Sequence, residues 1–315
     1  AQQCQMSFIL LNSHIFFTLN NSTNVGVSFY IFYLCFIVNL YKMKKQADYI
    51  KRIEIKRLWG RKDISWELRP DVNILSGVNG IGKSTILNRS VNSLSALEGG
   101  ALSNGSAPGV HFVFSPEDAT QIHFDVIRSF DRPLIHSELL EKMADKNVKT
   151  ELDWQLYQLQ RRYLDYQVNI GNRIIECLTS GNPEDQMRAA QMSYPKKKFQ
   201  DLMDDLFGET GKKIIRQSNE ILFEQDGDTL YPYQLSSGEK QILVILLTVL
   251  VQDKRHGVLF MDEPEISLHV EWQQRLISLI RELNPNVQIV LTTHSPALVM
   301  DGWLDAVTEV SDITQ

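Results

Sequence analysis

Gly77-Val78-Asn79-Gly80-Ile81-Gly82-Lys83-Ser84-Thr85 is the stretch on which the fold turns. Its spacing is G-x-x-x-x-G-K-S, in which glycines let backbone N–H groups close around phosphate oxygens. Val72 to Leu75, just before it, is an apolar run suited to a buried strand, and Thr85 to Leu97 reads as a helix. Strand, glycine loop and helix N-terminus in that order set the positive end of a helix dipole against an anion. Lys83 is then expected to reach the β- and γ-phosphates, and the Ser84 hydroxyl to ligate Mg²⁺. Gly77, Asn79, Gly80, Gly82 and Thr85 complete the expected cradle. A glycine-rich turn capping an ordinary helix is the competing reading, and the full motif with both flanks weighs against it.

The carboxyl-terminal half supplies matching chemistry. In Val258-Leu259-Phe260-Met261-Asp262-Glu263-Pro264, four apolar residues end in two carboxylates. A buried strand of this kind delivers acids to the carboxyl edge of a sheet, where doubly wound folds bind ligands. Asp262 is expected to hold Mg²⁺ through its water shell, and Glu263 to orient and deprotonate an attacking water. Ahead of it stands Leu235-Ser236-Ser237-Gly238-Glu239-Lys240-Gln241, followed by the apolar run Ile242 to Val251. Taken locally, Ser236 and Glu239 form a capping box that opens a buried helix. That run is too short to cross a membrane. Placed between the other two motifs, Ser236, Ser237, Gly238 and Glu239 also read as a helix start that offers donors to a γ-phosphate.

Ser267 is expected to open an amphipathic helix with Leu268, Trp272, Leu276, Leu279, Ile280 and Leu283 on one face, ended by Asn284-Pro285. Val287 to Leu291 is a further strand, leaving Thr292-Thr293-His294-Ser295-Pro296 at its end. A lone histidine is more often structural. One strand after Asp262-Glu263, His294 reads instead as a contact and sensor for the γ-phosphate.

The remainder is less telling. At 315 residues the chain holds one large domain or two small ones. A net charge of −6 argues against a surface that coats nucleic acid, while leaving room for a local basic patch. Cys4, Cys35 and Cys177 are far apart, so neither a disulfide framework nor a zinc site is indicated, which suits a reducing cytoplasm. Residues 1–41 carry no Asp, Glu, Lys or Arg, and Val25 to Tyr41 is an apolar run followed by Lys42, Lys44 and Lys45. It reads as a short membrane anchor with a basic flank, or as a segment translated from AT-rich DNA ahead of a start at Met43. We favour the second reading, which sets 1–42 apart from a folded domain over 47–315. A signal peptide fits poorly, because no basic residue precedes the apolar run.

Within that domain, Ile50 to Ile55 and Ile64 to Leu68 alternate with period two and predict a small antiparallel sheet. Val110 to Phe114 and Gln121 to Ile127 predict two more strands. Ser137 to Leu178 predicts a long helix whose stripe is Leu152, Leu156, Leu159, Tyr163 and Tyr166, broken at Gly181-Asn182-Pro183. The helical insert is placed at about 135–210. Lys196-Lys197-Lys198 reads as a solvated face rather than a nucleic-acid contact. Ile214 to Glu224 and Thr229 to Tyr233 predict a hairpin around Asp226-Gly227-Asp228.

In order along the chain, GVNGIGKST, LSSGEKQ, VLFMDEPEISLH and TTHSP resemble the ABC-type ATPase heads grouped among AAA domains. That class includes OLD, RecF-like and SMC-like heads and the PtuA-like phage-defence ATPases of Septu and retron systems. The resemblance covers roughly residues 47–310 and implies an α/β fold of P-loop NTPase type. Such a fold has a mixed or parallel sheet flanked by helices, an antiparallel N-terminal sheet and a helical insert. It further implies ATP and Mg²⁺ as ligands, Leu235 to Gln241 as the signature motif and Glu263 and His294 as catalytic residues. It also implies a head-to-tail homodimer with ATP sandwiched between one copy's loop and the other's signature. Gln121 is assigned here as the metal-contacting glutamine after a strand.

Two features depart from transporter ATPases. The signature is LSSGEKQ rather than LSGGQ, and about 150 residues separate it from the phosphate loop. The implied role is a cytoplasmic ATPase that controls a separate effector, such as an HNH nuclease, in prokaryotic phage defence. A DNA-repair ATPase that clamps nucleic acid is the alternative, followed by a transporter's ATP-binding subunit. A membrane partner enters only if residues 25–41 are native.

Overall fold

The computed structural model describes residues 10–11, 14–15, 45–98, 106–107, 109–129, 133 and 148–315. The chain divides into two units, Ala1–Lys44 and Lys45–Gln315. In the first, Leu10–Leu11 pairs antiparallel with His14–Ile15. The apolar run over 25–41 lies outside the described residues, as do 135–147 of the expected insert and the start of its long helix. Among the described residues no helix is long and apolar enough to cross a membrane.

In the second unit, β1 (Tyr49–Leu58), β2 (Lys62–Glu67), β4 (Ser106–Ala107) and β5 (Val110–Ser115) form an antiparallel sheet ordered β2-β1-β5-β4. The other large sheet contains β3 (Val72–Ser76), β6 (Phe124–Arg128), β10 (Gly257–Asp262), β11 (Val287–Thr292) and β12 (Val307–Glu309). Its order is β12-β3-β11-β10-β6, and every pairing is parallel. A parallel sheet covered on both faces reads as continuous apolar sequence, and β10 and β11 are buried throughout except at Asp262.

Side chains alternate between the faces, and two cores result. Val258, Phe260, Val290 and Leu75 join the antiparallel sheet and α1 (Lys83–Glu98) in one. Leu259, Met261, Ile289, Leu291 and Ile74 join α2 (Glu151–Thr179), α4 (Tyr194–Phe207), α5 (Ser237–Val251) and α6 (Val270–Leu283) in the other. The phosphate-loop helix α1 and the signature helix α5 therefore lie on opposite faces of the parallel sheet.

The predicted stripe of α2 is its buried face, with Leu152, Leu156, Leu159, Tyr163 and Tyr166 all in the core. Asn182 caps α3 (Pro183–Met192), with Pro183 at its first position, so the predicted break is the start of a new helix. Lys198 pairs with Glu282 and Lys196 donates to Gln167 while lying over the Tyr163 ring. Lys196 thus holds α4 to α2 and Lys198 holds it to α6, while Lys197 is exposed.

Two predicted elements change. The hairpin turn is Asp226-Gly227, with φ of +53° and +90°, between β8 (Phe223–Gln225) and β9 (Asp228–Leu230). Its long first strand is split, because β7 (Lys213–Ile214) and β8 pair with each other antiparallel. Helix α6 begins at Val270 rather than Ser267, since Ser267 adopts φ +68° in a turn and His269 takes the cap position.

Helix α5 is buried on every side from Ile242 to Leu250 and is held by charge at its first turns. Lys240 Nζ donates to Asp153 Oδ1 at 2.8 Å with both side chains nearly buried. Glu239 accepts from the Ser236 N–H at 2.9 Å, from Lys212 Nζ at 3.0 Å and from Thr210 Oγ1 at 3.1 Å. Burial alone would raise the Glu239 pKa, but the Ser236 N–H, Lys212 and the Ser236 hydroxyl together bring it below the ordinary value.

Breaking one half of a buried ion pair strands the other charge. Lys240→Ala should cost about 3–5 kcal/mol in denaturant unfolding, and adding Asp153→Ala should cost far less than the sum. Glu239 has a depressed folded pKa, so its stabilisation is complete above about pH 4.3 and is lost as pH falls through the folded value. The melting temperature of Glu239→Gln should therefore trail wild type at pH 7 and converge on it in acid.

Candidate functional site: a phosphate loop at the carboxyl edge of the parallel sheet

Strand register places the chemistry. Asp262 pairs with Thr292, Thr292 with Leu75, and Leu75 with Thr308, so these strands end at one edge. Beyond Ser76 the chain turns through Gly77 to Gly82 into α1, which starts at Lys83. Gly82 has φ +114°, a conformation that L side chains rarely adopt. A Cβ there would also lie 2.2 Å from Trp59 Cη2, so the indole rests directly on the loop. Asn79, Gly80 and Thr85 are exposed along the same loop and helix start.

Lys83 is almost wholly buried as a residue, yet its ammonium reaches the edge. It donates to the Gly77 carbonyl at 2.9 Å and stands 2.6 Å from His294 Nε2. His294 Nε2 is in turn 3.4 Å from Glu263 Oε1. His294 Nε2 therefore stands between the Lys83 ammonium and the Glu263 carboxylate. Ser84 Oγ donates to Asp262 Oδ1 at 2.9 Å. Lys83, Ser84, Asp262, Glu263 and His294, five residues drawn from three separate motifs, thus meet at one edge.

Thr292, which sequence reasoning passed over, organises this group. Its hydroxyl donates to Asp262 Oδ1 at 2.5 Å and accepts from the Glu263 N–H at 3.1 Å. Glu263 takes φ +48°, a left-handed conformation for a non-glycine residue that typically costs about 1–3 kcal/mol. The Thr292 backbone carbonyl, 3.1 Å from the same N–H, helps to hold it there. Trp59 was missed as well. It sits at φ +53° in the turn between β1 and β2, where Asp63 accepts from the Arg57 N–H at 2.8 Å. That hydrogen bond, ahead of the one from Lys56, holds the Asp63 carboxyl below its usual pKa. The only sequence signal for Trp59 was an aromatic residue before Gly60, three residues from a lysine that lies over the ring, Lys62.

Gln121 is a correction. Its Nε2 donates to Gln46 Oε1 at 3.2 Å, and it follows β5, as expected, but stands ahead of β6. Phe124 pairs with Val258 and Arg128 with Asp262, so Gln121 stands off the opposite edge, with roughly 13 Å of strand in between. Arg128 and Ser129 occupy the carboxyl end of that strand. Ser129 Oγ accepts from Gln241 Nε2 at 3.2 Å, which joins β6 to α5.

Ser236, Ser237, Gly238 and Glu239 are not brought to Lys83 in the same chain, because α5 belongs to the other face of the sheet. The capping box is present: Ser236 Oγ accepts from the Glu239 N–H at 3.3 Å, and Glu239 accepts from the Ser236 N–H. Ser236 and Ser237 are exposed, whereas Glu239 is committed to the helix end.

A protein-family profile described as "AAA domain, putative AbiEii toxin, Type IV TA system" matches residues 114–301. Septu protein PtuA of Bacillus thuringiensis is 24% identical over 79% of this chain and 72% of its own length. A protein of Escherichia coli named "Retron Ec83 probable ATPase" is 31% identical over 28% of this chain, which spans 18% of that relative. Among solved structures, an Smc head bound to the C-terminal winged-helix domain of ScpA is 16% identical over 80% of this chain and 92% of that one, at a TM-score of 0.47. With the profile spanning well over half of the sequence, and its loop, carboxylates and histidine meeting at one sheet edge, the chain belongs to this family of AAA domains.

Proposed function

We propose that residues 47–315 form an ATPase domain that binds ATP with Mg²⁺, pairs head to tail with a second copy, and hydrolyses the nucleotide to ADP and phosphate. The observation that carries this is the meeting of Lys83, Ser84, Asp262, Glu263 and His294 beyond the carboxyl ends of parallel strands, where such sheets bind ligands. In this reading the N–H groups from Gly77 to Thr85 wrap the phosphates, and Lys83 balances the charge of the β- and γ-phosphates. Glu263 takes a proton from the water whose oxygen bonds to the γ-phosphorus, as the bond from that phosphorus to the bridging oxygen breaks. His294 contacts the γ-phosphate.

The donor set suits a hard cation. Ser84 and Asp262 offer oxygens, and among the described residues no group of three or more His, Cys, Asp or Glu is arranged as an all-protein metal cage. Mg²⁺ is commonly held by one or two carboxylates together with phosphates. When bound, it would neutralise phosphate charge. Trp59, lying on Gly82, is positioned to pack against the nucleotide, and an aromatic stacked on a base contributes about 1–3 kcal/mol.

The opposite-face arrangement supports the head-to-tail pair: Ser236 to Gly238 open a helix that their own phosphate loop does not use. The likeness to Septu PtuA and to a retron protein supports a role in phage defence, in which ATP-driven closure licenses a separate effector chain, such as an HNH nuclease. A cytoplasmic setting accords with this role.

Lys83→Ala should abolish binding of a fluorescent ATP analogue, and undiminished affinity would remove Lys83 from the site. Glu263→Gln should slow single-turnover hydrolysis by about 10²–10⁴ while leaving nucleotide affinity intact. An unchanged rate would reassign the general base.

A further inference from the structure

We propose that Glu265 is a positioning residue for His294, and that it ties the histidine to the turn on which the signature helix rests; this builds on the reading of the site as an ATP-hydrolysing centre. Glu265 Oε1 accepts from Thr293 Oγ1 at 2.6 Å and from the His294 N–H at 2.9 Å. Its other oxygen, Oε2, is buried with no hydrogen-bond partner. An unpaired buried acceptor is costly. Local stability therefore does not account for placing a carboxylate here, whereas two bonds to the segment that presents His294 do.

A closed ring of hydrogen bonds surrounds this contact. Gln273 of α6 donates to the Leu268 carbonyl at 2.9 Å and to the Glu265 carbonyl at 3.4 Å. Gln273 Oε1 accepts from Ser295 Oγ at 2.7 Å, and the Ser295 N–H donates to Thr293 Oγ1 at 2.9 Å. The Leu268 N–H closes the turn on the Glu265 carbonyl at 3.0 Å. The turn from Glu263 to Leu268 and the segment from Thr293 to Ser295 thus form one unit.

The signature helix touches that unit directly. Gly238 lies so close to the Ser267 carbonyl that a Cβ would meet it at 2.4 Å, and Ser267 is held at φ +68°. A displacement of the first turn of α5 presses on Ser267, and Glu265 carries it to His294, which faces Lys83 and Glu263. This is a contiguous packed and hydrogen-bonded route, the kind of element along which two sites couple. A triphosphate docked on the signature of one copy can in this way adjust the histidine of that same copy.

The test is a mutant cycle in single-turnover and steady-state ATP hydrolysis, using wild type, Glu265→Ala, His294→Ala and the double variant. Glu265→Ala should lower kcat by about tenfold or more with little change in KM, and the double variant should be no slower than His294→Ala alone. Glu265→Gln, whose amide oxygen keeps both acceptor bonds, should recover most of the rate. If Glu265→Ala does not fold, Thr293→Val, which removes one of the two bonds, takes its place in the cycle. Wild-type kcat in the alanine variant, losses that multiply in the double variant, or a change confined to KM would each overturn the role of Glu265. A wild-type chain that hydrolyses no ATP would count instead against the reading on which the inference rests.

Discussion

The carboxylate of Asp262 is the point at which this structure is fastened. One oxygen accepts from Ser84, at the start of the phosphate-loop helix, and from Thr292, at the end of the neighbouring strand. Those two bonds join three separate stretches of sequence at the aligned strand ends. They also fix the spacing between the glycine loop and Glu263, because Thr292 holds the Glu263 N–H as well. A charged acceptor makes such bonds stronger than neutral ones. The strained backbone at Glu263 can persist because its surroundings over-determine it.

The second constraint is the two-faced sheet. Alternation along β10 and β11 sends successive side chains into different cores, and each core claims its own helices. The glycine loop belongs to one face and the capped start of α5 to the other. One chain thereby presents two helix starts, at Lys83 and at Ser237, that it does not bring together. In the proposed head-to-tail pair, a second copy supplies each with its complement. Contact between Gly238 and Ser267 then offers the proposed pair of sites a mechanical connection through Glu265.

Much of this was legible in the sequence because the deciding signals are local. The glycine spacing at 77–85, the apolar run into Asp262-Glu263 and the box from Ser236 to Glu239 each encode their geometry within a few residues. Gln121 failed for a physical reason. A strand's polarity decides which end reaches the site, and an isolated glutamine near a strand does not show where that strand begins. The contacts of Thr292 and Glu265 were invisible for a related reason: they span 28 to 30 positions of sequence and are created only by the register of adjacent strands. Trp59 needed the left-handed turn that swings it over Gly82. The late start of α6 came from the same kind of backbone turn, at Ser267.

The proposed function rests on a triphosphate held between the glycine loop of one copy and the capped start of α5 of another. The most direct test is the molar mass of Glu263→Gln by sedimentation velocity, with Mg²⁺ and either ATP or ADP. The account predicts a two-chain species with two retained ATP molecules, which returns to single chains in ADP or when Ser236 is changed to Arg. A particle whose mass ignores ATP, or that retains no nucleotide at all, would contradict it.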